Sequence, residues 1–221
     1  MLNKVVGRRV SGRSRTRRDD GAAAVEFALV SLLLITLFLG IIEFSLILRD
    51  KVAVTSAVRA GGRIASAEPR LAGYADPATN TPSTITGLVP DAVKAVSTGA
   101  TGIPKSSIAE VWVFQANADG FPLSGNFATC GINCVRYTYD ANRTWTDPST
   151  GQQVVGGFSL ISGSWAASSI NACAGSQQSV GIYLKVNHAY LFGRFGSGTI
   201  GINDSATFRF EPIPTNPGPC K

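Results

Sequence analysis

Residues 22–48 form an apolar run of 27 residues in which Glu26 and Glu43 are the only charges. About 20 apolar residues suffice for a helix to cross a bilayer, so the run predicts one membrane-spanning helix and excludes a purely soluble protein. Helical character continues to residue 67, because Val54, Val58, Gly61 and Ala65 recur at steps of four, three and four and draw one narrow face of small or branched side chains. A helix of about 45 residues would measure about 68 Å against about 30 Å of hydrocarbon, so its far end should protrude. Gly61 and Gly62 cost about 1 kcal/mol each inside a helix and predict a bend, or the close approach of another backbone.

Beyond this helix the periodicity changes. Residues 68–86 are rich in Pro, Thr, Ala and Asn and read as a linker. Pro90 suits a first helical turn, and residues 91–97 make a short helix with Val93 and Val96 on one side. Residues 108–116, 135–139, 153–159, 180–190 and 206–211 read as strands, the fourth alternating Ile182, Leu184 and Val186 against Tyr183, Lys185 and Asn187. Turns without long helices join them, which predicts a mainly antiparallel sheet and an α+β fold. The domains are then a basic leader (1–21), a transmembrane helix with a protruding extension (22–67) and one further domain (68–221). From Pro212 the chain carries four prolines in eight residues, a tail that stays loose unless Cys220 is bonded.

The 221 residues carry a net charge of +6, which would suggest nucleic acid if it were spread over a surface. It is not: Lys4, Arg8, Arg9, Arg13, Arg15, Arg17 and Arg18 face only Asp19 and Asp20 in the leader, and the rest of the chain sums to +1. A basic flank before an apolar run is a topology signal, so the N-terminus is expected in the cytoplasm, the C-terminal domain outside, and nucleic acid is not an expected partner. All four cysteines (Cys130, Cys134, Cys173, Cys220) fall in the outer segment, where an even set reads as disulfides. Three connectivities are possible. The turn-forming Gly131 and Asn133 favour a tight Cys130–Cys134 bridge, which leaves Cys173 to Cys220 and ties down the tail for about 4 kcal/mol of chain entropy. A zinc site from Cys130, Cys134, Cys173 and His188 lacks a second close pair, and His188 reads as a half-exposed structural histidine; no metal or other cofactor is expected. Trp112, Trp145 and Trp165 read as core or strand-face anchors. With a single histidine and no nucleophile elbow, phosphate loop or dinucleotide fingerprint, the chain is not expected to be an enzyme.

Glu26 is the most informative residue. A carboxylate inside a membrane segment costs about 2.5 to 3.5 kcal/mol on insertion scales, so it needs a partner or a position at the interface. Gly21, the small residues from Ala22, Glu26 at the fifth place and Phe27 after it resemble the prepilin-peptidase site of type IV pilins. That resemblance implies cleavage between Gly21 and Ala22, and a pairing of Glu26 with the new α-amino group of a neighbouring subunit. The longer stretch GAAAVEFALVSLLLITLFLGIIEFSLILRDKVAVTSAVRAGGRIAS resembles the TadE-like family of tight-adherence pilus assembly. Glu43 with Phe44 matches the family's second acidic residue, and Arg59, Ala60, Gly61, Gly62 and Arg63 match its closing cluster. Leu32 stands where the family often has proline.

The resemblance implies a pilin-like fold and a structural role as a minor pseudopilin in a type IV pilus or secretion apparatus. Glu26, Glu43, Arg59, Gly61, Gly62 and Arg63 would pack subunits together. The implied partners are the membrane, a prepilin peptidase, other pilus or pseudopilus subunits and inner-membrane assembly proteins. The competing expectation is a permanently anchored extracytoplasmic binding or adhesion domain.

Overall fold

The computed structural model describes residues 19–67, 88–146, 151–166, 169–192 and 198–212. In chain order these form α1 (Asp19–Ala67), α2 (Leu88–Gly99), a 3-10 turn (Lys105–Ser107), β1 (Ile108–Ala116), β2 (Cys134–Thr146), β3 (Gln153–Ser164), β4 (Ser179–Ala189) and β5 (Thr199–Arg209). The chain divides into two units, Met1–Phe44 and Ser45–Lys221. The second unit takes in the later part of α1, which the hydrophobic pattern groups with the membrane helix.

In the first unit the large apolar side chains of α1 face outwards, with Phe27, Leu33 and Phe38 all more than half exposed. The hydroxyls of this part turn back on the helix. Thr36 Oγ1 donates to the carbonyls of Leu32 and Leu33 at 3.0 and 2.9 Å, and Ser31 Oγ donates to that of Ala28 at 3.0 Å. A helix with an apolar exterior and internally bonded hydroxyls suits hydrocarbon, where an unpaired polar group costs several kcal/mol. It is long and apolar enough to cross a membrane, and its most apolar stretch of 18 residues has none buried.

The second unit is a five-stranded antiparallel sheet in the order β3-β2-β1-β4-β5. Residues of α1 from Ser45 onward and α2 form one core with a single face of it. Val54, Ala57, Val58 and Ala65 of α1 are fully buried, together with Val89 and Val96 of α2 and Val111, Val113, Ile182, Leu184 and Val186 of the strands. Each such valine removed from water contributes about 1.5 kcal/mol or more. The other face of β1, β2 and β4 carries Trp112, Phe114, Cys134 and Tyr183, a second and smaller cluster. β1 is thus covered on both faces, which explains its continuous apolar run where a half-buried strand would alternate.

Several elements extend beyond their sequence-predicted bounds. α2 starts at Leu88 because Leu88 and Val89 join Ala92, Val93 and Val96 on its buried side, with Pro90 still inside the first turn, where no N–H is needed. β2 continues past Tyr139 through polar residues that pair with β3 after a register shift between Asp140 and Thr144. β5 begins at Thr199 instead of Ala206, since all eleven of its residues are in register with β4. Trp112 and Trp165 are buried as anchors. The linker at 68–86 and the proline-rich tail from Ile213 onward lie outside the described residues.

Candidate functional site

The expected processing residues sit on the first turns of α1. Gly21, Ala22, Glu26 and Phe27 are all exposed, and a side chain added at Gly21 would meet nothing within 4 Å among the described residues. Phe27 is 76% exposed. Glu26 therefore projects from a helix whose neighbouring side chains are apolar. Glu43, near the other end of the run, is buried at 3%.

The expected packing residues from Arg59 to Arg63 divide into two groups. Arg59 and Arg63 are exposed and line a shallow groove along α1 with Lys51, Val52, Thr55 and Ser56. Gly61 and Gly62 are instead buried inside their own domain. A Cβ on Gly61 would lie 2.5 Å from Val96 Cγ2 and 3.1 Å from the Ala92 carbonyl oxygen, and one on Gly62 would collide with the Phe208 ring. Glycine is required because α2 and β5 approach the α1 backbone here, as the close-approach alternative expected.

A row of polar contacts, missed by the sequence reading, clamps the same helix to the sheet. Asp50 Oδ2 and His188 Nδ1 share a hydrogen bond at 2.7 Å, with both side chains buried. Arg49 donates to Asp50 Oδ1 from Nε at 3.1 Å and Nη2 at 2.9 Å, and from Nη2 to the Gly102 carbonyl at 3.3 Å. Further along, Lys51 Nζ donates to the Asn203 carbonyl at 2.7 Å, and Thr55 Oγ1 donates to Asp204 Oδ2 at 2.5 Å. Burial alone would raise the Asp204 carboxyl, but the Thr55 hydroxyl, the Lys51 ammonium and the Ser205 N–H hold it below its ordinary value. At the upper end the Glu211 N–H donates to the Ser66 carbonyl at 2.9 Å. His188 is therefore a buried partner of α1, contrary to its expected half-exposure. The signal was available, since the β4 alternation that points Ile182, Leu184 and Val186 inward places His188 on the same side.

On the opposite face, residues 117–133 fold back as a flap over the aromatic cluster. Phe127 stacks on Tyr183 with centroids 4.5 Å apart and meets Trp112, Phe114 and Phe121 at 6.0, 5.7 and 5.4 Å. Arg136 lies over the Trp112 ring at 4.7 Å and pairs with Glu110, which also accepts the Trp112 indole N–H at 2.7 Å. Burial, then the Glu110 charge, pushes the Tyr183 phenol above its ordinary value. A disulfide joins Cys130 to Cys134 with Cα atoms 5.3 Å apart and closes the flap onto β2. Asn133, held in the left-handed region at φ 52°, makes the turn between them. Cys173 is disulfide-bonded too; Cys220, its expected partner, lies outside the described residues.

These arrangements hold elements together. Among the described residues no group of three or more His, Cys, Asp and Glu side chains could hold a metal ion. No curated protein and no solved structure matches this chain. Residues 21–63, the stretch that carries Gly21, Glu26, Glu43, Arg59 and Arg63, match the family model described as TadE-like protein.

Proposed function

We propose that this chain is a minor-pseudopilin-like structural subunit of a bacterial tight-adherence type IV pilus assembly or secretion apparatus, and that it has no catalytic activity of its own. Its N-terminus faces the cytoplasm and its β-domain lies outside. A prepilin peptidase removes the leader between Gly21 and Ala22. Glu26 then meets the new α-amino group of Ala22 on a neighbouring subunit, which offsets the cost of a carboxylate in hydrocarbon and sets the stagger between helices.

The observation that carries this reading is the exposed Glu26 on an otherwise apolar helix within the TadE-like match. A carboxylate in that setting calls for a partner from another chain. Support also comes from the exposure of Gly21, where an added side chain would meet nothing within 4 Å among the described residues.

The test is the N-terminal sequence of the protein purified from cells with a working prepilin peptidase. It should begin at Ala22, and Gly21→Ala should slow the conversion. A terminus at Met1 or Leu2 overturns the proposal and leaves a permanent anchor.

A further inference from the structure

β5 ends the sheet, so one side of it has no neighbouring strand. Which of its backbone groups face that side follows from the ladder. The Phe210 N–H donates to the Gln178 carbonyl at 3.1 Å, in line with the β4–β5 register. Opposed residues of an antiparallel pair alternate between bonding each other and pointing away, so the odd-numbered residues of β5 point outward. The contacts agree: the Asn203 carbonyl takes the Lys51 ammonium, the Ser205 N–H donates to Asp204 Oδ1 at 3.0 Å, and the Glu211 N–H reaches the Ser66 carbonyl. Between these occupied points the edge is open. The carbonyl of Ser205 and both backbone groups of Thr207 and Arg209 bond no other described residue outside the ladder, and all three residues are exposed. The opposite edge, β3, is interrupted by two register shifts against β2, and such bulges keep an edge from pairing. β5 holds one register over all eleven of its residues.

α1 runs beside this open stretch. Lys51 and Thr55 bond β5 at Asn203 and Asp204, and Gly62 lies against Phe208. The groove that Lys51 and Thr55 line continues to Arg59 and Arg63. Of the two acids in residues 199–212, Asp204 is matched by Lys51 and Glu211 stands beyond the strand. The guanidinium groups of Arg59, Arg63 and Arg209 are matched by no other described residue, and all three side chains are exposed. Asp204 and Phe208 face α1, so Arg209, at an odd position, lies on the other face of the sheet.

We propose that the open stretch of β5, from Ser205 to Arg209, takes up an extended acidic segment of a partner protein as a sixth strand. The unpaired N–H and carbonyl groups dictate an extended backbone. The arginines dictate its charge: side chains of an added strand alternate between the faces, so acids on one face meet Arg59 and Arg63 and acids on the other meet Arg209. This chain does not supply such a segment. Residues 1–18 are basic, residues 68–87 carry three prolines and only Glu68 and Asp76 as acids, and residues 213–221 carry three prolines and no acid; proline withholds the N–H a ladder needs. A second copy would bring an edge strand without acids, β3, or β5 with its own Arg209. The site belongs to the β-domain alone and holds whether or not the leader is cleaved.

A photoreactive benzoylphenylalanine at position 205 of the full chain, illuminated in its native cells, tests it. Mass spectrometry should place the cross-links in a segment of one partner rich in Asp and Glu. Arg59→Glu combined with Arg63→Glu should cut the yield by about tenfold, whereas Arg59→Lys combined with Arg63→Lys should keep most of it. Thr207→Pro withdraws an outward N–H without touching the β4 ladder and should also cut the yield, with the thermal midpoint of each variant in detergent unchanged. Cross-links to a neutral or basic segment, to lipid or to this chain itself, or none at all, overturn the proposal. A loss with the arginine reversal but not with Thr207→Pro overturns strand addition, and a loss with Thr207→Pro alone overturns the acidic partner.

Discussion

Up to Phe44, α1 turns its large aliphatic and aromatic side chains outward; from Ser45 it turns small ones inward. The earlier part is dominated by Leu, Ile and Phe, the later by Ala53, Val54, Ala57, Val58, Gly61, Gly62 and Ala65 on its buried side. Both are apolar helix, yet one offers surface to hydrocarbon and the other lets backbones close in. Side-chain size and the placement of charge separate the two roles more sharply than hydropathy does. In the later part the charged residues near the apolar run are tied to the sheet, whereas Glu26 in the earlier part stands on an apolar exterior.

The comparison can be broken first at Asp50. Asp50→Ala removes a hydrogen-bond partner of buried His188 and should cost about 3 kcal/mol, read as a fall in the thermal midpoint of the full chain in detergent. An unchanged midpoint would mean that the clamp contributes nothing to stability. Next comes Gly61→Leu, which drives a side chain into Val96 and the Ala92 carbonyl and should cost about 2 kcal/mol. Leu33→Ala, a slightly smaller change of volume on the outward-facing part, should leave the β-domain midpoint where it was. If both variants behave alike, the two parts of the helix are not distinct.

A smaller effect is expected at Asp204. Its carboxyl titrates below its ordinary value in the folded state, so its contribution is present above about pH 4 and is lost as pH falls through the folded value. Asp204→Asn should remove that part of the acid dependence, by less than about 1 kcal/mol as for other part-exposed pairs. Denaturant titrations of both proteins between neutral and acid pH check the sign. Smallest of all on stability is Glu26→Gln, which should leave the midpoint and membrane insertion unchanged while reducing co-purification with other pilus subunits. Normal co-purification would mark Glu26 as a residue of the membrane interface only.

How much of this was legible in the chain depends on the range of the interactions. α1, β1 and β4 are readable because their patterns are local: an unbroken apolar run, a β-branched and aromatic run, a strict alternation. The first half of β5 is not, since Gly201, Asn203 and Asp204 are turn formers by propensity; pairing with β4 and contacts from Lys51 and Thr55 outweigh that preference. Gly61 and Gly62 could be flagged as a weak point, but their neighbours Val96 and Phe208 come from other elements. The TadE-like stretch at residues 21–63 was readable because its pattern is linear and local. The Asp50–His188 clamp was not, because nothing near either residue names the other.

That clamp also sets the order of events in the life of the chain. Asp50 and His188 are 138 positions apart, and Lys51 and Asn203 152. Synthesis delivers α1 first and β5 last, so the small-residue stripe of α1 must wait for most of the chain before its cover exists. Contacts of such high sequence separation form slowly, and an apolar stripe left bare in the interval is open to misassembly. Each nascent molecule therefore carries an unfinished surface at the membrane until its final strand arrives, and any partner that recruits it early meets that unfinished surface instead of the folded domain.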